Sequence, residues 1–374
     1  MKPSFFRHPS HHHRSVQTFF WTLVAVASAT FAQGGSATPE EPQVAPAGVN
    51  AKRLQSAVRW ARDHGSSAFL LQVNGRVVAD HTWEVDTSDL PRRQQIAYSR
   101  LSRDATADGQ PVEDVASVQK SVVAILVAMA EERGHLELDD PVHEHLGPGW
   151  SRASRDHEEK VRVRHLLAMS SGLDNRLQRE AAPGETWFYN TPAYQLLHRV
   201  LREATGKPSN RLLQDWLAKP LGLTHSSFEP RRNPRRPDQL GLVTTARDLL
   251  RIGELVLRDG TLDGQRLVDA RRLSRLLAPS QTLNPSYGSL WWLNGQDSGT
   301  LPRGKQFTGS IYPSAPDDLV MALGALDRHL AISKEYGLVM VRLGAPVSGP
   351  GSEQIFDTLW RRIMAALEIR SDSR

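Results

Sequence analysis

One stretch of the chain has no polar face. Residues 121–130 read SVVAILVAMA, and a helix that is apolar all round belongs at the centre of a core. Before it, residues 52–64 place Leu54, Ala57, Val58 and Ala61 on one side of a helix that Gly65 ends. Residues 68–73 and 76–83 read as strands. They are joined by Asn74-Gly75, the dipeptide that suits a two-residue hairpin turn. Residues 85–111 are polar and irregular.

The apolar helix stops near Gly134, and the period beyond it stays helical. Residues 136–141 make a turn, and residues 161–169 form a short helix closing at Ser171-Gly172-Leu173. Residues 185–190 form a loop. Pro192 then opens a helix at the first position, where a missing N–H costs nothing. That helix turns Tyr194, Leu197, Val200 and Leu201 inward and ends at Gly206. Ser209 caps a further helix through Leu212, Leu213 and Trp216. Thr244 or Thr245 caps another over residues 246–259, with Leu249, Ile252, Leu255 and Val256 on one face.

Strand character returns at residues 288–293, 319–326, 329–333 and 338–343. Ser352 caps a last helix over residues 353–367, with Ile355, Phe356, Leu359, Trp360, Ile363 and Met364 inward. Strands at both ends of a helical middle predict an α/β fold of the α+β kind. One antiparallel sheet flanked by helices uses residues 51–115 and 286–370, and an all-helical part, residues 116–285, is inserted. The apolar helix then lies at the seam, where pockets form.

The beginning of the chain follows another pattern. Lys2, Arg7 and Arg14 precede an apolar run at residues 19–29, and Thr30-Phe31-Ala32 supplies small residues at a cleavage position. Residues 1–32 therefore read as a secretory signal peptide, the run being too short for a stable membrane anchor. Residues 33–50 are small, polar and proline-rich, a disordered leader to a domain spanning residues 51–374. At 374 residues the chain is ample for one large domain or two fused subdomains. Its formal charge of +5 falls to +2 once the three signal cations are set aside, which gives no basis for nucleic-acid binding. The cluster Arg231-Arg232-Asn233-Pro234-Arg235-Arg236 lies between Pro230 and Pro237 and reads as a solvated loop. There is no cysteine, so disulfides, thiolate metal sites and a thiol nucleophile are excluded. Secretion without disulfides fits a bacterial envelope compartment, periplasmic or external. No histidine spacing suggests a zinc site.

Candidate chemistry sits at the start of the apolar helix. Ser117 and Lys120 are three residues apart, which places them on one helical face. Burial disfavours a charged lysine, and a neutral amine beside a hydroxyl can take its proton and make it a nucleophile. The helix N-terminus adds free N–H groups suited to an oxyanion. The pattern alone leaves a plainer reading open, in which Ser117 is a cap and Lys120 reaches back to water. A serine hydrolase also needs a further proton-transfer group. The loop Pro183-Gly184-Glu185-Thr186-Trp187-Phe188-Tyr189-Asn190 offers the Tyr189 phenol, expected to ionise more readily beside an ammonium.

The blocks SVQK, VRHLLAMSSGLD, PGETWFYNTPAYQLL and TTARDLLRIGELVLRDGTLDGQRLV together resemble the serine β-lactamase-like hydrolases. That superfamily includes class C β-lactamases, D-alanyl-D-alanine peptidases, esterases and 6-aminohexanoate-dimer hydrolases. The resemblance runs from about residue 53 to 367. It implies the serine β-lactamase / D,D-peptidase-like fold, with Ser117 as nucleophile, Lys120 as its base partner and Tyr189 as the second-motif tyrosine. Cofactors and metals are not implied, and the partner is a small ester or amide.

The chain departs from the family pattern in two places. The second motif often reads Tyr-x-Asn, but here Asn190 follows Tyr189 directly and Thr191 holds the usual Asn position, so Asn190 reads as a loop or cap residue. The third motif, Lys-Thr-Gly or His-x-Gly, falls at Leu323-Gly324-Ala325, which has no cation. Such an edge can still donate a backbone N–H, that of Ala325, beside that of Ser117. It cannot pair with an anionic substrate end, which favours neutral esters or amides over β-lactams or D,D-peptides. A silent ligand-binding relative is the alternative of another class. Lys305-Gln306-Phe307-Thr308-Gly309 resembles a stretched third motif but lies too far from the last strand. His165 reads as a packing residue, Asp248 as support for the helix start near Thr245, and Trp291-Trp292 as core.

Overall fold

The computed structural model describes residues 48–231, 239–347 and 352–367. The expected signal peptide and leader up to residue 47 and residues 232–236 of the basic cluster lie outside the described residues, as does the Ser352 side chain. The three residues 48–50 assigned to the leader belong to the fold. Val49 pairs with Leu367, and Asn50 caps the first helix by accepting from the Arg53 N–H at 3.1 Å.

Six antiparallel strands form the main sheet. Their spatial order is Arg76–Thr82, Ser66–Val73, Leu338–Gly344, Arg328–Ser333, Val320–Gly324 and Trp292–Leu293. The first two make the expected hairpin, with Asn74 and Gly75 at φ 47° and 76° as a two-residue turn of that hand requires. Register then fixes which side chains share a face. Leu330 lies opposite Val341 and Ile332 opposite Val339, while His329 lies opposite Arg342. Against the Leu330 face packs the helix Ala246–Leu257. A Cβ on its Gly253 would stand 2.4 Å from a Val339 methyl, so the missing side chain is what lets helix and sheet approach this closely. Against the His329 face packs the helix Ser352–Ala366, whose Phe356 ring stacks on His329 at 3.8 Å. The helix Ala51–Asp63 lies beside it, Trp60 meeting Phe356 edge to face.

The helix Gln119–Glu132 holds the position its sequence predicts. Every residue from Gln119 to Glu131 is buried. Helices Thr191–Thr205 and Ala270–Leu276 pack on it from the inserted part. Thr191–Thr205 turns Tyr194, Leu197, Val200 and Leu201 inward and ends at Gly206 with φ 70°, as its spacing requires.

Four expectations are corrected. Residues 92–101 in the irregular stretch form a helix, which no periodicity announced because none of its residues is buried. The inserted part is not all helical. Its strands Leu240–Thr245 and Ser227–Pro230 join Val112–Asp114 in a small antiparallel sheet, with Leu240–Thr245 in the middle. Ser209 does not cap its helix. Its hydroxyl lies 2.9 Å from His198 Nδ1 instead, and the helix widens into a π turn over Leu213–Ala218. The strand expected at 288–293 shrinks to Trp292–Leu293.

Candidate active site

The small sheet delivers the chain to the site. Asp114 pairs with Val243 at the end of its strand, and Val115 donates its N–H to the Leu242 carbonyl at 2.9 Å. Ala116 then takes φ +52°, and a 3₁₀ turn over Ala116–Val118 leads into the helix Gln119–Glu132. A left-handed alanine costs about 1–3 kcal/mol and persists only where its surroundings determine it. Here Asp114 Oδ1 accepts the Ala116 N–H at 2.9 Å. From the other side the next-to-last strand, Val320–Gly324, closes in with the end that lies beyond its pairing to Trp292–Leu293. A Cβ on Gly324 would lie 2.5 Å from the Val115 carbonyl oxygen, so any side chain there would push the strand off the turn.

The turn leaves Ser117 partly exposed while Lys120, three residues on, is buried. Lys120 Nζ lies 2.8 Å from Ser117 Oγ, the contact that their spacing predicts. Lys120 is 2% exposed and lies between two aromatic faces, with Nζ 4.9 Å from the centre of the Tyr189 ring and 4.8 Å from that of Tyr194. Burial, aided by the Arg231 guanidinium and opposed by the Asp114 carboxylate, lowers its pKa to about 7. The free amine is therefore well populated at neutral pH.

Tyr189 behaves contrary to the expectation of easier ionisation. Burial raises its pKa to about 12, only partly offset by its hydrogen bond with Ser117 and by Arg231. At neutral pH the phenol keeps its proton, because burial disfavours the phenolate more than the Ser117 hydrogen bond and Arg231 favour it. An aromatic wall fixes the ring: Trp292 stacks on it at 5.9 Å, and Tyr287 meets it edge-on at 6.3 Å. Trp291 and Trp292 are core residues, 0% and 3% exposed, but Trp292 also supports a site residue.

The remaining sequence candidates fall into structural roles. Asn190 caps the helix Thr191–Thr205, accepting from the Ala193 N–H at 3.0 Å and donating to the Leu173 carbonyl at 2.7 Å. His165 Nδ1 accepts the Arg162 N–H at 3.0 Å and closes the start of its own helix. Thr245 caps the helix at Ala246, and the Asp248 carboxylate also accepts from the His225 N–H and the Ser226 hydroxyl at 2.9 and 2.7 Å, tying a loop to the helix. Lys305–Gly309 lies around a separate two-stranded ribbon, away from the main sheet. Ala325 is exposed just past the strand Val320–Gly324, next to the Gly324 that touches the Ser117 turn.

Three neighbours of Ser117 escaped the sequence reading. Tyr194 reads as a core position, which it is, while also facing Lys120. Asp114 has no motif around it. Arg231 belongs to the cluster expected to be solvated, yet it forms a bidentate pair with Asp114, both contacts at 2.8 Å. The two are separated by 117 positions, so no local pattern could connect them. Among the described residues no group of three or more His, Asp or Glu is placed to hold a metal ion.

A hydroxyl hydrogen-bonded to a buried amine that titrates near neutral pH, with a protonated phenol alongside, can lose one proton and receive another. That is the arrangement acyl transfer requires. Comparison with known proteins bears on this geometry. The protein-family model described as Beta-lactamase matches residues 51–342. An uncharacterised protein of Alkalihalophilus pseudofirmus is 26% identical over 321 residues, covering 79% of this chain and 87% of that protein. The esterase EstB of Burkholderia gladioli is 30% identical over 184 residues, 38% of this chain and 47% of the esterase. Among solved structures, EstCE1, a hydrolase with promiscuous acyltransferase activity, superposes with a TM-score of 0.60 at 17% identity, covering 84% of this chain and 98% of that one.

Proposed function

The chain belongs to the β-lactamase family and is a serine hydrolase, and from that premise we propose that it cleaves a neutral ester or amide through an acyl-enzyme on Ser117. The observation carrying this reading is the 2.8 Å contact between Ser117 Oγ and a Lys120 amine whose pKa is brought to about 7. Lys120 Nζ takes the hydroxyl proton as Oγ bonds to the acyl carbon. The oxyanion is held by the backbone N–H groups of Ser117 and Ala325. Collapse breaks the bond to the leaving alcohol or amine, which receives a proton from Tyr189, itself reprotonated from Lys120. Water then repeats the sequence on the acyl-enzyme, releasing the acid and restoring Ser117.

The preference for neutral substrates rests on how the nearby cations are used. Arg231 is taken up by Asp114. Arg328, fully buried, pairs with Glu113 at 2.6 Å. Leu323-Gly324-Ala325 offers no cation to a substrate carboxylate. The esterase relative fits the same preference. Residues 1–32 direct the enzyme out of the cytoplasm, into the periplasm or beyond.

Two measurements test the reading. A fluorophosphonate should label the purified protein on the peptide containing Ser117, and a folded protein that resists labelling would be a silent binder. A panel of p-nitrophenyl esters, linear amide oligomers and a chromogenic cephalosporin should show turnover of the first or second and little of the third. Fast cephalosporin turnover would overturn the substrate assignment. With a simple alkyl ester added to that panel, Tyr189→Phe should lower the rate of acylation by the alkyl ester by about 10²–10⁴-fold. It should affect the pre-steady-state burst of p-nitrophenolate from a p-nitrophenyl ester far less, because p-nitrophenolate leaves without a proton. Equal losses on both would remove Tyr189 as the donor to the leaving group.

A further inference from the structure

Asp114 and Arg231 enclose the residue before Ser117. Arg231 Nε and Nη2 donate to the two oxygens of Asp114, each at 2.8 Å, and Nη2 also donates to the Ala116 carbonyl at 3.3 Å. Asp114 Oδ1 accepts the Ala116 N–H at 2.9 Å. Both polar groups of the left-handed residue are thus held by one ion pair. The pair is well shielded, with Asp114 2% and Arg231 21% exposed. Room for it comes from Gly241, where a Cβ would stand 2.4 Å from Asp114 Oδ2 and 2.8 Å from Arg231 Nε.

We propose that Asp114 and Arg231 are positioning residues of the hydrolytic site, a clamp that fixes the turn at Ala116 and sets the charge balance around Lys120. The proposal rests on the reading of Ser117 and Lys120 given above. A bidentate guanidinium–carboxylate fork is planar and directional, so it can define the Ala116 geometry as a single charge on a flexible stem cannot. The groups facing Lys120 are Ser117 on its own turn, Tyr189 and Tyr194 at either end of the loop-to-helix junction, Asp114 at the strand end and Arg231 beyond the small sheet. His198, 3.2 Å from the Tyr194 hydroxyl, stays neutral because burial lowers its pKa to about 3. Of these only Asp114 and Arg231 carry charge at neutral pH, and they act on the lysine in opposite directions.

Opposite signs give a test that loosened packing cannot imitate. The rate of fluorophosphonate labelling is measured against pH in the full-length protein, where the acid limb reports Lys120. Arg231→Gln should move that limb to higher pH by at least about half a unit, because it leaves an uncompensated carboxylate. Asp114→Asn, which keeps an acceptor for the Ala116 N–H, should move it to lower pH by a similar amount. Arg231→Lys should leave the limb in place but slow labelling by about 10-fold, as the fork is lost while the charge remains. A general opening of the pocket would instead rehydrate Lys120 and move the limb upward in every variant. Should Arg231→Gln fail to fold, Asp114→Asn alone still decides, since only the clamp predicts a downward move. Labelling that survives Ser117→Ala would overturn the functional reading itself. Labelling lost in Ser117→Ala, with limbs that move together or not at all, would overturn the clamp alone.

Discussion

Ser117→Ala should abolish fluorophosphonate labelling and lower ester turnover by about 10⁵–10⁶-fold. The loss is large because the other groups act only through the hydroxyl. Lys120 has no other proton to take, and the Tyr189 phenol has no leaving group to serve. For the same reason the double variant Ser117→Ala/Lys120→Met should be no slower than either single one, since residues that work as a unit are grossly non-additive. The fold should survive. Ser117 is partly exposed in a short 3₁₀ turn, and the turn's geometry is held from Asp114 and Gly324 and not from the hydroxyl. The check is turnover of a p-nitrophenyl ester beside thermal unfolding of both proteins. Residual turnover above about one part in 10⁴ in the folded variant would show that Ser117 is not the nucleophile.

What made this site legible was its local part. The apolar run at residues 121–130 announced a buried helix, and the three-residue spacing of Ser117 and Lys120 put them on one face, where they lie 2.8 Å apart. Sheet and terminal helices followed because their patterns of two and 3.6 residues are written in sequence, and hairpin turns such as Asn74-Gly75 carry their own backbone requirement. What stayed illegible is of two kinds. No residue of the helix Arg92–Leu101 is fully buried, so no periodicity marks it. The pair Asp114–Arg231 exists only because the strands Val112–Asp114 and Ser227–Pro230 flank Leu240–Thr245 in a sheet hidden within a helical region. Once that sheet is missed, a buried partner of the serine turn looks like one arginine in a solvated run. The direction of the Tyr189 shift was missed for a related reason. A phenol beside a lysine reads as a phenol beside a cation, whereas the same burial that serves the lysine by removing its charge keeps the phenol protonated.

That shared burial leads to the second large effect. Lys120→Met should lower turnover by about 10⁴–10⁶-fold and remove the acid limb near neutral pH. Methionine keeps an unbranched stem between the Tyr189 and Tyr194 rings, so the pocket need not collapse. The same substitution should make the protein more stable. The amine titrates at about 7 when folded but at its ordinary value of 10.5 when unfolded. Between those two values the unfolded chain binds the extra proton, so stability rises with pH across the window, and below it the folded state carries the whole penalty. Removing the amine removes a penalty on the order of 3–5 kcal/mol below neutral pH, less whatever the hydrogen bond to Ser117 returns. The variant's advantage in unfolding midpoint should therefore be greatest below pH 7 and shrink steadily toward pH 10. An advantage that grew with pH, or a variant less stable than its parent at pH 6, would mean that Lys120 is held as a cation. It could not then be the base that opens the reaction, and the proton on Ser117 would need another destination.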